Sequence, residues 1–177
     1  MSARMIITID GPAGTGKSSV AHHLAQRLGL EFLDTGAMYR AAALLAIEND
    51  VDPEDGESLA GAVRSAGMHF DWTQDPPRLM LDDRDVTRRL RDFDVSEVVS
   101  IVARQPKLRR VLVEAQREIA SRHPRLVTEG RDQGSVVFPD AQVRFYLDAD
   151  ARVRAKRRAA RLKEQGQTLD VDQIKRR

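Results

Sequence analysis

MIITIDGPAGTGKSSVAHHLAQRLG, residues 5–29, decides the fold. Met5 to Asp10 is a short apolar run rich in isoleucine, which reads as a buried strand. Three glycines follow within six residues, and then SSVAHHLAQRLG places Val20, Leu24 and Leu28 at i, i+4 and i+8, one face of a helix closed by Gly29. Strand, glycine-rich turn and helix in that order form the opening unit of an α/β protein.

The turn itself, GPAGTGKS at residues 11–18, satisfies G-x-x-x-x-G-K-[ST] at every fixed position, with the strand before it and the helix after it that the motif requires. Gly11, Gly14 and Gly16 let the backbone turn its N–H groups toward phosphate oxygens, and the helix that follows directs its positive end at the same place. In this phosphate-binding loop (P-loop), Lys17 reaches the outer phosphates of a nucleoside triphosphate, and the Ser18 hydroxyl is a ligand for magnesium. A P-loop does not name a reaction. The only Asn is Asn49, followed by Asp50, so the guanine-reading N-K-x-D is absent; no Asp is followed three residues later by Gly either. Those absences argue against a GTPase switch. An ATP-dependent kinase of a small molecule and a non-catalytic nucleotide-binding module remain.

Outward from the loop, strands and helices alternate. EFLDTG (31–36) is a second strand ending in a turn, 37–50 is helical, and DPEDGES (52–58) breaks that helix and caps the next. Residues 68–86 alternate in polarity around a Pro-Pro pair and acidic turns, which predicts a small β-hairpin. Residues 95–103 form a short helix with Asp94 or Ser96 as N-cap, and Pro106 opens another, with Leu108, Leu112, Ala115 and Ile119 as its apolar stripe. RLVTEGRD (125–132) and VRFYLDAD (143–150) are two further strands, followed by a cationic helix from Ala151 to about Gln165. The expectation is a parallel sheet flanked by helices, with ligands at the carboxyl ends of its strands.

The bulk properties are those of an ordinary globular chain: 177 residues, 41% hydrophobic, 32% charged, net charge +2 and no cysteine, so disulfides and Cys-based zinc sites are excluded. The N-terminus does not read as a signal peptide, and no apolar stretch approaches the ~18 residues of a membrane span. His22, His23, His69 and His123 show no ligand spacing and read as ordinary surface or core histidines. Charge is uneven, however. Residues 152–177 hold ten Lys or Arg against three acids, a cationic surface that attracts phosphates, or else a solvated helix face or weak RNA-binding patch.

Phosphoryl transfer is mostly positioning and charge neutralisation. An alcohol acceptor usually needs a carboxylate to take its proton; a nucleoside monophosphate does not, since its phosphate, with a second pKa of about 6, is already mostly dianionic. The strand-end segments supply arginines instead: Arg40, Arg131, and the cluster Arg154, Arg157 and Arg158. That distribution favours a nucleotide acceptor.

IDGPAGTGKSSVAHHLAQRLG, LDTGAMYRA and VTEGRDQGSVVFPDA, in that order, resemble the bacterial cytidylate kinases, with 50–94 the weaker stretch. The resemblance implies a P-loop fold with a five-stranded parallel sheet, an inserted monophosphate-binding region (hairpin plus helices) and a lid. It divides this single kinase domain into a core of residues 1–36 and 104–150, an insertion of about 37–103, and the start of a lid at about 151–177. It implies transfer of the ATP γ-phosphate to CMP or dCMP with Mg²⁺, in a cytoplasmic monomer that binds neither nucleic acid nor membrane. Carried over by position, Gly11, Pro12, Ala13, Gly14, Thr15, Gly16, Lys17, Ser18 and Ser19 hold ATP, with Ser18 on the metal. Thr35, Arg40 and Arg131 grip the acceptor phosphate; Ser100, Arg109 and Asp132 read cytosine; Arg177 contacts the acceptor. Lys17, Arg131, Arg157 and Arg158 stabilise the phosphoryl group in transfer. The base-reading chemistry stands without the family: a carboxylate accepts from the cytosine amine and an arginine donates to its acceptors, whereas uracil leaves both unpaired.

The family continues past the position of Arg177 with an Asp and an Arg that hold ribose and base, then a fifth strand and a last helix. A polypeptide ending at Arg177 is expected to be less stable and poorly active. The alternatives are a nucleotide-binding module without catalysis and a kinase of another acceptor, such as UMP.

Overall fold

The computed structural model describes residues 4–164, side chains excepted at 158 and 161–164. In chain order the elements are β1 (Met5–Asp10), α1 (Lys17–Leu28), β2 (Glu31–Asp34), α2 (Thr35–Glu48), α3 (Gly56–Ser65), β3 (His69–Asp71), β4 (Arg78–Leu81) and β5 (Arg84–Asp85). A 3₁₀ turn (Arg89–Arg91) leads to α4 (Phe93–Val102), α5 (Pro106–Arg122), β6 (Arg125–Gly130), a π-helical turn (Gln133–Val137), β7 (Val143–Tyr146) and α6 (Ala151–Glu164). The chain forms two compact units, one from the residues up to Glu31 and from Arg125 onward, the other Phe32–Pro124.

The main sheet has the order β2-β6-β1-β7 among the described residues. β1 runs parallel to β6, with Met5 opposite Arg125 and Asp10 opposite Gly130, and parallel to β7, with Ile7 opposite Val143 and Asp10 opposite Tyr146. The carboxyl ends of these three strands therefore stand side by side. Ile6, Ile7, Ile9, Leu126 and Val127 are buried, as strands covered on both faces require.

The helix after the P-loop forms as expected, and Gly29 ends it in the left-handed region at φ 60°. Its buried face differs from the expected stripe: Lys17, Ala21 and Ala25 are covered, while Val20 and Leu28 are 47% and 49% exposed. Small alanines let α1 lie close on β1 and β6, and this turns the larger side chains outward.

In the second unit, α2 is buried along most of its length and packs against α3 and α4. Asp55 caps α3, accepting from the amides of Glu57 and Ser58. The short helix expected at 95–103 begins two residues earlier, with Asp92 at its N-cap rather than Asp94 or Ser96. Asp92 makes no side-chain cap bond; Arg89 donates to its carboxylate and bidentately to that of Asp94. On α5 the stripe is rotated: Leu108, Val111, Leu112, Gln116 and Ala120 are buried, and Ala115 and Ile119 only half so. The expected hairpin is a three-stranded antiparallel sheet, β3-β4-β5, whose Phe70, Leu79 and Leu81 face inward. Trp72, just past β3, stacks on His123 at the end of α5, with ring centroids 4.1 Å apart.

Candidate active site

In the first unit the P-loop leaves β1 at Asp10. Gly11 has φ 147°, and a Cβ there would collide with the carbonyl oxygen of Leu147, whose amide in turn donates to the Asp10 carbonyl at 2.7 Å. Gly16 is the N-cap of α1 at φ 97°, and no side chain caps that helix end. Both positions need glycine for backbone reasons, one by close approach and one by conformation. The amides opening α1 are thus left for a ligand rather than a side chain.

Lys17 is buried; its Nζ donates to the Pro12 carbonyl at 2.9 Å and lies 3.9 Å from Glu129 Oε2. The Ser18 hydroxyl donates to Glu129 Oε1 at 2.7 Å. Glu129, buried in β6, thereby gathers the lysine and the serine of the motif around one carboxylate. Serine hydroxyl beside carboxylate is a hard-oxygen donor set that suits Mg²⁺, which takes one or two protein ligands and fills its shell with water and phosphate. Among the described residues no cluster of three or more His, Asp or Glu is placed to hold a metal ion by itself.

From α6, Arg157 donates through Nη1 to the carbonyls of Gly14 and Thr15, at 3.2 and 2.8 Å. One α6 arginine is therefore seated on the carbonyl side of the phosphate loop. The Arg158 side chain and Arg177 lie outside the described residues. At the end of β6, Arg131 is exposed and Asp132 half-buried. The π-helical turn follows, with its amides at Gln133 and Gly134 bonded to the Asp10 carboxylate.

In the second unit Thr35 opens α2 and is 2% exposed. Asp34 caps that helix through Ala37 N at 2.9 Å and holds Arg40 Nη2 at 2.8 Å, so Arg40 is fixed above Gly36, where a Cβ would stand 3.1 Å from its Nη1. Ser100 is exposed on the last turn of α4, and Arg109 is half-buried on the first turn of α5. An open groove of about 670 Å³ in this unit, lined by residues such as Leu45, Ala66, Leu81 and Arg84, contains none of these side chains.

Sequence reasoning missed Asp10, Asp34 and Glu129 as site residues. Each is an acid ending or interrupting an otherwise apolar strand, and a carboxylate in a buried strand is costly unless partnered. That was the available signal.

The cytidylate kinase family model matches residues 7–177. A cytidylate kinase of Roseiflexus castenholzii is 45% identical over 99% of this chain and 77% of its own length. That of Pelotomaculum thermopropionicum is 47% identical over 95% and 74%, and that of Pasteurella multocida 38% identical over 98% and 76%.

Proposed function

Since this chain belongs to the cytidylate kinase family, we propose that it transfers the γ-phosphate of ATP to CMP or dCMP, giving ADP and CDP or dCDP. The observation that carries the reading is the P-loop with Lys17 and Ser18 gathered on Glu129, in a chain whose β6 is followed directly by Arg131-Asp132. An oxygen of the acceptor phosphate forms the new bond to the γ-phosphorus as the bond from that phosphorus to the β-phosphate bridging oxygen breaks. No general base is needed, the acceptor phosphate being mostly dianionic at neutral pH.

The loop residues Gly11 to Ser19 hold the triphosphate through backbone amides. Lys17 exchanges its bond to Pro12 for the outer phosphates, and Arg131, Arg157 and Arg158 neutralise charge on the phosphoryl group in flight. Ser18 and Glu129 would hold Mg²⁺, which would supply positive charge against the triphosphate. Thr35, Arg40 and Arg131 take the acceptor phosphate, and Ser100, Arg109 and Asp132 take cytosine, with Arg177 on the acceptor nucleotide. In this reading residues 1–36 and 104–150 are the core, 37–103 the monophosphate-binding insertion and 151–177 the start of the lid. The protein works as a cytoplasmic monomer. Among the described residues, no helix is long and apolar enough to cross a membrane.

ADP release with magnesium-ATP and a panel of CMP, dCMP, UMP, AMP and GMP tests the reading. Turnover is highest with CMP or dCMP. Preference for UMP or a purine overturns the roles of Asp132 and Arg109, and nucleotide binding without turnover overturns the kinase.

A further inference from the structure

Asp10 ends β1 immediately before the phosphate loop and is 8% exposed. A buried carboxylate next to a phosphate site is unfavourable on two counts, desolvation and repulsion of the ligand, so its partners matter. Both of its oxygens are taken up by backbone amides: Oδ1 accepts from the Gln133 amide at 2.7 Å and Oδ2 from the Gly134 amide at 2.8 Å. These amides open the π-helical turn Gln133–Val137, and the first amides of a helical turn have no partner within the turn. Asp10 thus acts as a cap supplied from across the sheet, 123 residues away.

The residues directly ahead of the capped amides are Arg131 and Asp132. Asp132 is the turn's N-cap position at φ −145°, ψ 27°, and its carbonyl accepts from Val136 and Val137. The turn is held from two further sides. Thr128 donates its hydroxyl to Gln133 Oε1 at 2.9 Å, and Gly134 is pressed on β1 so closely that a Cβ would stand 2.7 Å from Thr8 Oγ1. π-helical turns of this kind concentrate at functional sites.

We propose that Asp10 is a positioning residue for the acceptor nucleotide: its carboxylate fixes the backbone from which Arg131 and Asp132 project, and so sets acceptor affinity and base choice from the first residue before the donor loop. This rests on the kinase reading above. Asp10→Asn is the direct test, because the amide nitrogen cannot accept and leaves one turn amide facing a donor. With magnesium-ATP saturating, the KM for CMP is expected to rise by roughly ten-fold or more, the scale of a lost charge-assisted hydrogen bond, and the CMP-to-UMP ratio of kcat/KM to fall in parallel. Affinity for a non-hydrolysable ATP analogue, measured by titration calorimetry, stays within about two-fold. Gly134→Ala lifts the same turn off Thr8 and strains its amide's bond to Asp10 while leaving the carboxylate itself in place; it produces the same pattern, which keeps the test open if Asp10→Asn does not fold. A fall in melting temperature with unchanged CMP KM and unchanged base preference, or equal losses of analogue and CMP affinity, makes Asp10 a structural cap only and overturns the proposal. Absence of CMP turnover in the unmodified chain overturns the kinase reading itself, and this proposal with it.

Discussion

Replacing Glu129 by glutamine removes a negative charge shared by Lys17 and Ser18 while keeping the side chain's shape. At the observed 3.9 Å, attraction between the ammonium and the carboxylate is about 4 kcal/mol at an effective dielectric of about 20, before the cost of burying both groups is subtracted. Lys17 keeps its bond to the Pro12 carbonyl, and the glutamine oxygen still accepts from Ser18, so the net loss of stability is smaller, about 1–2 kcal/mol. In a chain of this size that lowers the melting temperature by roughly 2–8 °C. The functional loss is larger. With a carboxylate oxygen gone from beside Ser18, the magnesium concentration at half-maximal activity rises by roughly ten- to a hundred-fold, as for other changes next to a metal ligand. The assay is ADP release at fixed ATP and CMP over a magnesium titration, with thermal melts of both proteins alongside. A magnesium midpoint equal to that of the unmodified protein refutes the reasoning. So does a variant that loses activity only in proportion to the fraction unfolded.

Arg157→Ala is expected to lower kcat/KM for ATP by roughly a hundred-fold, with stability changed by less than about 1 kcal/mol; steady-state kinetics with unchanged kcat/KM removes Arg157 from the transfer step. Asp34→Asn keeps a good N-cap for α2 but loses the charge that holds Arg40, so the KM for CMP rises by roughly ten-fold while urea stability stays within about 1 kcal/mol. The Arg84 guanidinium, bound bidentately, holds the Glu48 carboxyl below its usual range. A depressed carboxylate contributes stability above its unfolded pKa and loses it as pH falls through the folded one. Glu48→Gln therefore costs about 0.2–1 kcal/mol in urea melts at pH 7, and the difference shrinks as pH drops below about 4. A gap that widens on acidification contradicts this sign.

The donor loop was legible because its conformation is local. Three glycines, an apolar strand before and a capped helix after dictate where the amides of Gly11–Ser18 point, whatever packs around them. Arg40 and Arg131 stand out as candidates because arginines follow the strand ends, where α/β sheets take ligands, whereas Asp132 enters only through the family resemblance. Helix faces were read less well. The stripe expected on α1 follows the helical spacing of Val20, Leu24 and Leu28, yet Ala21 and Ala25 are buried while Val20 and Leu28 are exposed. Which face of a helix is covered depends on how closely it can approach its neighbour, and small residues win where strands lie near.

What the sequence by itself determined is the chemistry available at each strand end: a phosphate-binding loop, arginines suited to an anionic acceptor, and an acid suited to an exocyclic amine. The tertiary structure decided which acids complete it. Asp10 meets Gln133, Glu129 meets Lys17 and Ser18, and neither contact has any spacing in the sequence to announce it. Both follow from parallel register, which sets Asp10 opposite Gly130 and brings the β6 carboxylate beside the first turn of α1. A buried charge must find its partner in space, and only the folded sheet brings that partner within reach.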